Sequence, residues 1–127
     1  MSYYNNIKCV MYKKNWEEIQ NRILTNTEIE EWSKTRFANV KTEVRDDIVI
    51  LTWESTNRWD ECTDEAVEMF MNYLSELNNN LVPFKFIRIG EGCGTETDIE
   101  ELYQYTEDLN IWNKFNIIDY KITIETY

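Results

Sequence analysis

The sequence contains no histidine. That absence removes the commonest general base, the common nucleophilic triads and the commonest metal ligand together. Cysteine is scarce. Cys9, Cys62 and Cys93 are odd in number and far apart, which is not a disulfide framework, so a reducing cytoplasm is the expected compartment. The three glycines all fall within Gly90–Gly94, and the one proline is Pro83. No linker, internal repeat or low-complexity tract interrupts the chain. No apolar run approaches the roughly 18 residues of a membrane helix. The opening Met1-Ser2-Tyr3-Tyr4-Asn5-Asn6 has neither the basic start nor the apolar centre of a signal peptide.

What remains suits folding. Of 127 residues, 43% are hydrophobic and 14% aromatic, which argues against disorder and for one α+β domain over residues 1–127. The net charge is −11, and it is unevenly placed. Nine acids and nine bases cancel between Met1 and Arg58. From Trp59 to Tyr127 there are 15 acids and four bases, so the whole excess lies in the second half. A field of that sign repels nucleic acid and anionic membrane and attracts basic surfaces.

The chain centres on Asp47–Gly90, which reads as strand, helix, strand. Ile48-Val49-Ile50-Leu51-Thr52-Trp53 is a continuous β-favouring run, the pattern of a strand buried on both faces. Thr63 is placed to cap a helix reaching Leu77, with Asp64 and Glu65 at its positive end. Ala66, Phe70, Tyr73, Leu74 and Leu77 share one helical face. Asn78-Asn79-Asn80 closes it, because Asn tolerates the left-handed conformation. Val82–Ile89 is the returning strand, with Pro83 at its start.

Before this unit, Ile7, Cys9 and Met11 alternate with Lys8, Val10 and Tyr12, as in a strand. Asn15 is a cap for a helix bearing Trp16, Ile19, Ile23 and Leu24. Thr27 with Glu30 makes a capping box for a second helix, with Ile29 and Trp32 turned inward. Ala38–Arg45 alternates. An Asp46-Asp47 hairpin loop would pair Val44 with Val49, Thr42 with Leu51, Val40 with Trp53, Glu43 with Ile50 and Lys41 with Thr52. After Gly90, Thr97 and Glu100 make another capping box, which points to a helix with Ile99, Leu102 and Tyr103 inward. Asp108–Lys114 reads as a connector. Ile118, Tyr120, Ile122 and Ile124 alternate with Asp119, Lys121, Thr123 and Glu125 in a last strand with one face in solvent. The order is that of a ferredoxin-like βαββαβ core with an added C-terminal αβ. Its sheet is expected to be mixed or antiparallel, with helices on one face.

Few residues point to bond-making chemistry. The glycine loop before Thr97 lacks the Gly-Lys-Ser/Thr of a P-loop, and its acids oppose a phosphate. Cys93 lies in that loop without a recognisable partner base. The acids form two clusters: Asp60, Glu61, Asp64, Glu65 and Glu68; and Glu91, Glu96, Asp98, Glu100 and Glu101. Divalent cations take such oxygens, but no EF-hand spacing is present, and acids gather at helix starts in any case. No catalytic residue, metal site or cofactor is expected. Trp16, Trp32 and Trp53 occupy apolar-face positions. Trp59 and Trp112 lie beside acids, where they serve either as interface anchors or as cover for the core.

These features together lead to the expectation of a non-enzymatic acidic inhibitor. Its partner would be a basic nucleic-acid-binding protein, either a nuclease or a CRISPR effector, engaged by mimicry of nucleic-acid charge. In size, charge and missing catalytic residues the chain resembles phage anti-CRISPR and other anti-defence proteins, and also immunity proteins that neutralise nuclease toxins. Two other readings compete: a small metal- or nucleotide-binding enzyme or sensor using the Gly90–Glu96 loop, and a homo-oligomeric structural protein, such as a homodimer, whose alternating last strand pairs across a two-fold at a sheet edge.

Overall fold

The computed structural model describes residues 4–57, 59, 62–91 and 97–118. Five strands form one sheet: β1 (Tyr4–Tyr12), β2 (Lys41–Arg45), β3 (Ile48–Asn57), β4 (Phe84–Glu91) and β5 (Thr97–Gln104). Their order across it is β2-β3-β1-β4-β5. Every neighbouring pair is antiparallel. Because β3 and β4 both oppose β1, they run parallel to each other on either side of it. They are joined by α3 (Glu65–Asn79). The helices α1 (Lys13–Thr25) and α2 (Glu31–Ala38) make the other crossover, from β1 to β2. This is the ferredoxin-like βαββαβ core, extended at its β4 edge by β5 and followed by α4 (Leu109–Phe115).

The β2–β3 hairpin has the expected register. Val44 pairs with Val49, Thr42 with Leu51, Glu43 with Ile50 and Lys41 with Thr52. The strand begins at Lys41, so Val40 does not pair with Trp53; it packs half-buried against the core instead. Asp46 takes φ 54° in the turn, a conformation that Asp tolerates better than most side chains. The Asp47 carbonyl accepts from Lys13 N–H at 2.8 Å. One of the first N–H groups of α1 is thereby satisfied by the hairpin, and α1 starts two residues before the expected Asn15 cap. Asn15 instead donates to the Tyr73 hydroxyl at 3.1 Å.

One face of the sheet presents Ile7, Cys9, Met11, Val49, Leu51, Trp53, Phe84 and Phe86. Against them pack Trp16, Ile19 and Ile23 of α1, Phe37 of α2, and Phe70, Leu74 and Leu77 of α3. Each such side chain contributes roughly 1.5–3 kcal/mol when buried. The expectation of helices on one face needs correction. Val10, Ile48, Ile50, Ile87 and Ile89 on the opposite face are covered by Trp112 and Phe115 of α4 and by Ile118. Lys85, on the same face, donates to Asn116 Oδ1 at 2.6 Å and holds the end of α4 in place.

Two further expectations are corrected. Thr97–Gln104 is a strand, not a helix, paired with β4 from Glu91↔Thr97 to Phe84↔Gln104. The free edge of β4 supplies a ladder that a local capping pattern cannot reveal. Asp108–Lys114 is not a bare connector, since Asp108 caps α4 by accepting from Asn110 and Ile111 N–H at 3.0 and 3.3 Å. The last expected strand lies, beyond Ile118, outside the described residues.

Gly90 is required by close approach. A Cβ there would run into Asn5 Oδ1, the atom that accepts from Arg88 Nη1 at 3.0 Å.

Candidate interaction site

The parallel course of β3 and β4 brings the strand ends that precede the two acidic stretches to one end of the sheet. Both strands finish at the end of the sheet where β1 begins, since Tyr4 pairs with Asn57 and Asn5 with Gly90. The β3–α3 and β4–β5 connections therefore leave from the same pole. One leads into Asp60–Glu68 and the other spans Glu91–Asp98. Asp60, Glu61 and Glu96 lie outside the described residues. Glu91 and Asp98 are placed by backbone register, opposite Thr97 and Gly90. Glu65 and Glu68 stand exposed in the first turn of α3. Glu100 and Glu101 point to opposite faces of β5. Glu100 is half-buried against Arg88 at 3.3 Å, and Glu101 is exposed on the α4 side.

Asp64 does not belong to the exposed set. It is the N-cap of α3, in place of the expected Thr63, and is 4% exposed. Its Oδ1 accepts from Val67 N–H at 3.2 Å and from the Ser33 hydroxyl. Ser33 Oγ in turn accepts from Ala66 N–H at 3.0 Å. Asp64 Oδ2 lies 3.0 Å from Arg36 Nη1, and the Arg36 guanidinium stacks over the Trp59 ring at 5.7 Å. Burial lowers the Arg36 pKa and the Asp64 charge opposes that shift. The group fastens α2 to the start of α3. Its role is structural, since a carboxylate so enclosed lies out of a partner's reach.

Trp59 and Trp112 are also turned into the protein. Trp59 packs among Phe37, Trp53, Phe70 and Phe86 at centroid distances of 5.7, 5.1, 6.0 and 6.2 Å. Trp112 is buried between Tyr103 and Tyr105, at 6.0 and 5.4 Å. Of the two readings open for these residues, cover for the core describes their position. Trp32, expected inward, is instead 58% exposed. Its indole N–H donates to the Glu30 carboxylate. It borders two depressions, one shared with Thr63 and Glu65, the other, about 480 Å³, shared with Arg36, Val40, Trp53 and Glu54. A signal for this was present: Trp32 precedes the inward Phe37 by five residues, which places it on another side of the helix.

Among the described residues, three bases near this pole lie beside acids. Arg36 faces Asp64, Arg88 faces Glu100, and Lys41 lies 3.9 Å from Glu54. Among the described residues no three Cys, Asp or Glu side chains group as metal ligands, and no helix is long and apolar enough to cross a membrane. Cys62 is exposed, whereas Cys9 is sealed in the core and its thiol pKa is pushed up by burial. Cys93 lies outside the described residues. No protein-family model, no curated protein and no solved structure matches the chain.

Proposed function

We propose that the protein is a non-enzymatic inhibitor that binds a basic nucleic-acid-binding protein and takes the place of that protein's nucleic acid. Carboxylates at the acidic pole occupy the positions of phosphates in a basic groove. The intended partner is a nuclease or CRISPR effector, and the setting is anti-defence in a bacterial host cytoplasm. The observation that carries this reading is the convergence of the two acid-rich connections, distant in sequence, at one end of a rigid sheet. Exposed Trp32, beside Glu30 and Glu65, supplies an apolar anchor there in place of Trp59 and Trp112.

The test is affinity capture from host lysate at low salt, using the wild-type chain and a Glu65→Lys/Glu68→Lys variant as bait. All substituted positions are exposed, so the variant is expected to fold. The wild-type chain should retain a basic nuclease or effector that the variant loses. Capture of the same protein by both baits would contradict the proposal, as would a captured partner without a basic nucleic-acid-binding surface.

A further inference from the structure

We infer that the outer edge of β5 receives an extended, lysine- or arginine-bearing strand of the partner, which adds to the sheet as a sixth strand. This rests on the reading of a basic partner and specifies how part of that partner is held.

The two edges of the sheet differ. The edge strand β2 has five residues, is exposed throughout and carries Lys41 and Arg45. Short length and exposed bases are common protections against unwanted strand pairing. The edge strand β5 has eight residues, Thr97–Gln104, and no Lys, Arg or Pro. Among the described residues no strand pairs with its outer side. Its N–H and C=O groups on that side form a template for one more strand.

The side chains fit the same role. Ile99 and Tyr103 on β5 continue into Tyr105 and Leu109, and these four are 45–61% exposed. Ile99 and Tyr103 share the α4 face of the strand, with exposed Glu101 between them, and Tyr103 and Tyr105 both pack on Trp112 of α4. On the opposite face a hollow of about 130 Å³ opens between α3 and β5, lined by Leu74, Ser75, Asn78, Phe84, Leu102 and Tyr103. An added strand would lay alternate side chains beside Ile99 and Tyr103 and over the hollow.

Charge selects the occupant. Glu101 is exposed on β5, and Glu107 and Asp108 are exposed in the segment that follows the strand. A second copy of the chain, pairing β5 with β5, would bring Asp98, Glu100 and Glu101 of both copies onto adjacent strands about 4.8 Å apart, where like charges oppose pairing. The chain's own last described residue, Ile118, lies by Lys8, Lys41 and Ile50 on the β2 side of the sheet, away from β5. A basic strand answers both the backbone edge and the acids.

The experiment uses the full chain and two ten-residue peptides of equal charge, one alternating lysine with valine and the other lysine with proline. Proline removes ladder donors and prevents strand pairing while the charge is kept. Binding is read by isothermal titration calorimetry and from hydrogen exchange. The lysine–valine peptide should bind about tenfold more tightly than the lysine–proline peptide and should slow exchange in Thr97–Gln104. An uncharged Ile99→Ser/Tyr103→Ser variant should lose that preference. Equal binding of the two peptides, or protection elsewhere, overturns the edge inference and leaves the basic-partner reading to its own capture test. Failure of both peptides to bind also overturns the edge inference. So does a dimer by light scattering that Tyr103→Lys converts to monomer, since the edge would then belong to a second copy.

Discussion

Leu81 carries a backbone conformation that leucine disfavours. It takes φ 58° directly after α3, where Val82 N–H donates to the Leu77 carbonyl at 2.9 Å and Leu81 N–H to the Asn78 carbonyl at 3.2 Å. This pair of bonds is the Schellman closure, and its left-handed residue is usually glycine. The three preceding asparagines suggested that one of them would hold this position, but Asn80 has φ −93°. The Leu81 side chain is largely exposed, so replacement loses little packing. Leu81→Gly is expected to raise stability by roughly 0.5–1 kcal/mol in urea unfolding. At Asp64 the expectation runs the other way. Asp64→Ala removes the cap of α3 and leaves Arg36 enclosed without its counter-charge, at a cost of about 3–4 kcal/mol. Asp64→Asn keeps an acceptor for Val67 and Ser33 and should lose less. At this scale the sequence was only partly legible. An acid before a helix reads equally well as a solvated first turn or as a buried cap. Ser33 and Arg36, some thirty residues away, decide between them. Ser33, bonded to Asp64, takes the buried position beside the exposed Trp32.

Between elements, α1 and α3 are joined by a polar lacing around Tyr73. The Tyr73 hydroxyl donates to Glu18 at 2.8 Å and accepts from Asn15 at 3.1 Å. Arg22 lies over its ring at 5.3 Å and reaches Glu18 and Glu76 at 2.8 and 3.3 Å. Burial, reinforced by the bond to Glu18, pushes the Tyr73 phenol up to about 12 from its ordinary 10. An unfolded chain releases that proton near pH 10 while the folded chain keeps it, so this contribution is intact below about pH 10 and is lost as the pH rises towards about 12. Urea midpoints measured across that window should fall, and Tyr73→Phe should flatten the part due to this group. The hairpin and the β3–α3–β4 unit were legible because their signals are local: a continuous apolar run, a helical stripe and a two-residue turn that fixes a register. β5 was not, because Thr97 with Glu100 imitates a helix start and Ile99, Leu102 and Tyr103 also suit helical spacing. What decides for a strand is non-local, namely the open side of β4 and the Arg88–Glu100 pair across it. α4 could have been found from Asp108 followed by Ile111, Trp112 and Phe115. Phe115 is fully buried under the second face, and Phe115→Ala is expected to cost about 3–5 kcal/mol, read as a lower urea midpoint.

For the whole molecule, the topology sends two acid-rich connections, distant in sequence, to one end of the sheet. A meander would have left the two acid-rich connections at different ends. The split βαβ arrangement sends both to one end, and the sheet there is held firmly by Asn5, Arg88 and Gly90 on one side and by Asp64 and Arg36 on the other. Binding through such a surface should weaken with salt, since exposed charges are screened over about 8–10 Å at ordinary ionic strength. The most direct measurement is competition. Labelled nucleic acid is bound to the captured partner, the protein is added, and nucleic acid released is followed as salt is raised. Release should approach completion at low salt, with apparent affinity for the protein falling steeply as salt increases, and Glu65→Lys/Glu68→Lys should release little. A stable ternary complex that keeps the nucleic acid bound, or displacement indifferent to salt and to those two substitutions, would contradict the claim that the acidic pole stands in for phosphates.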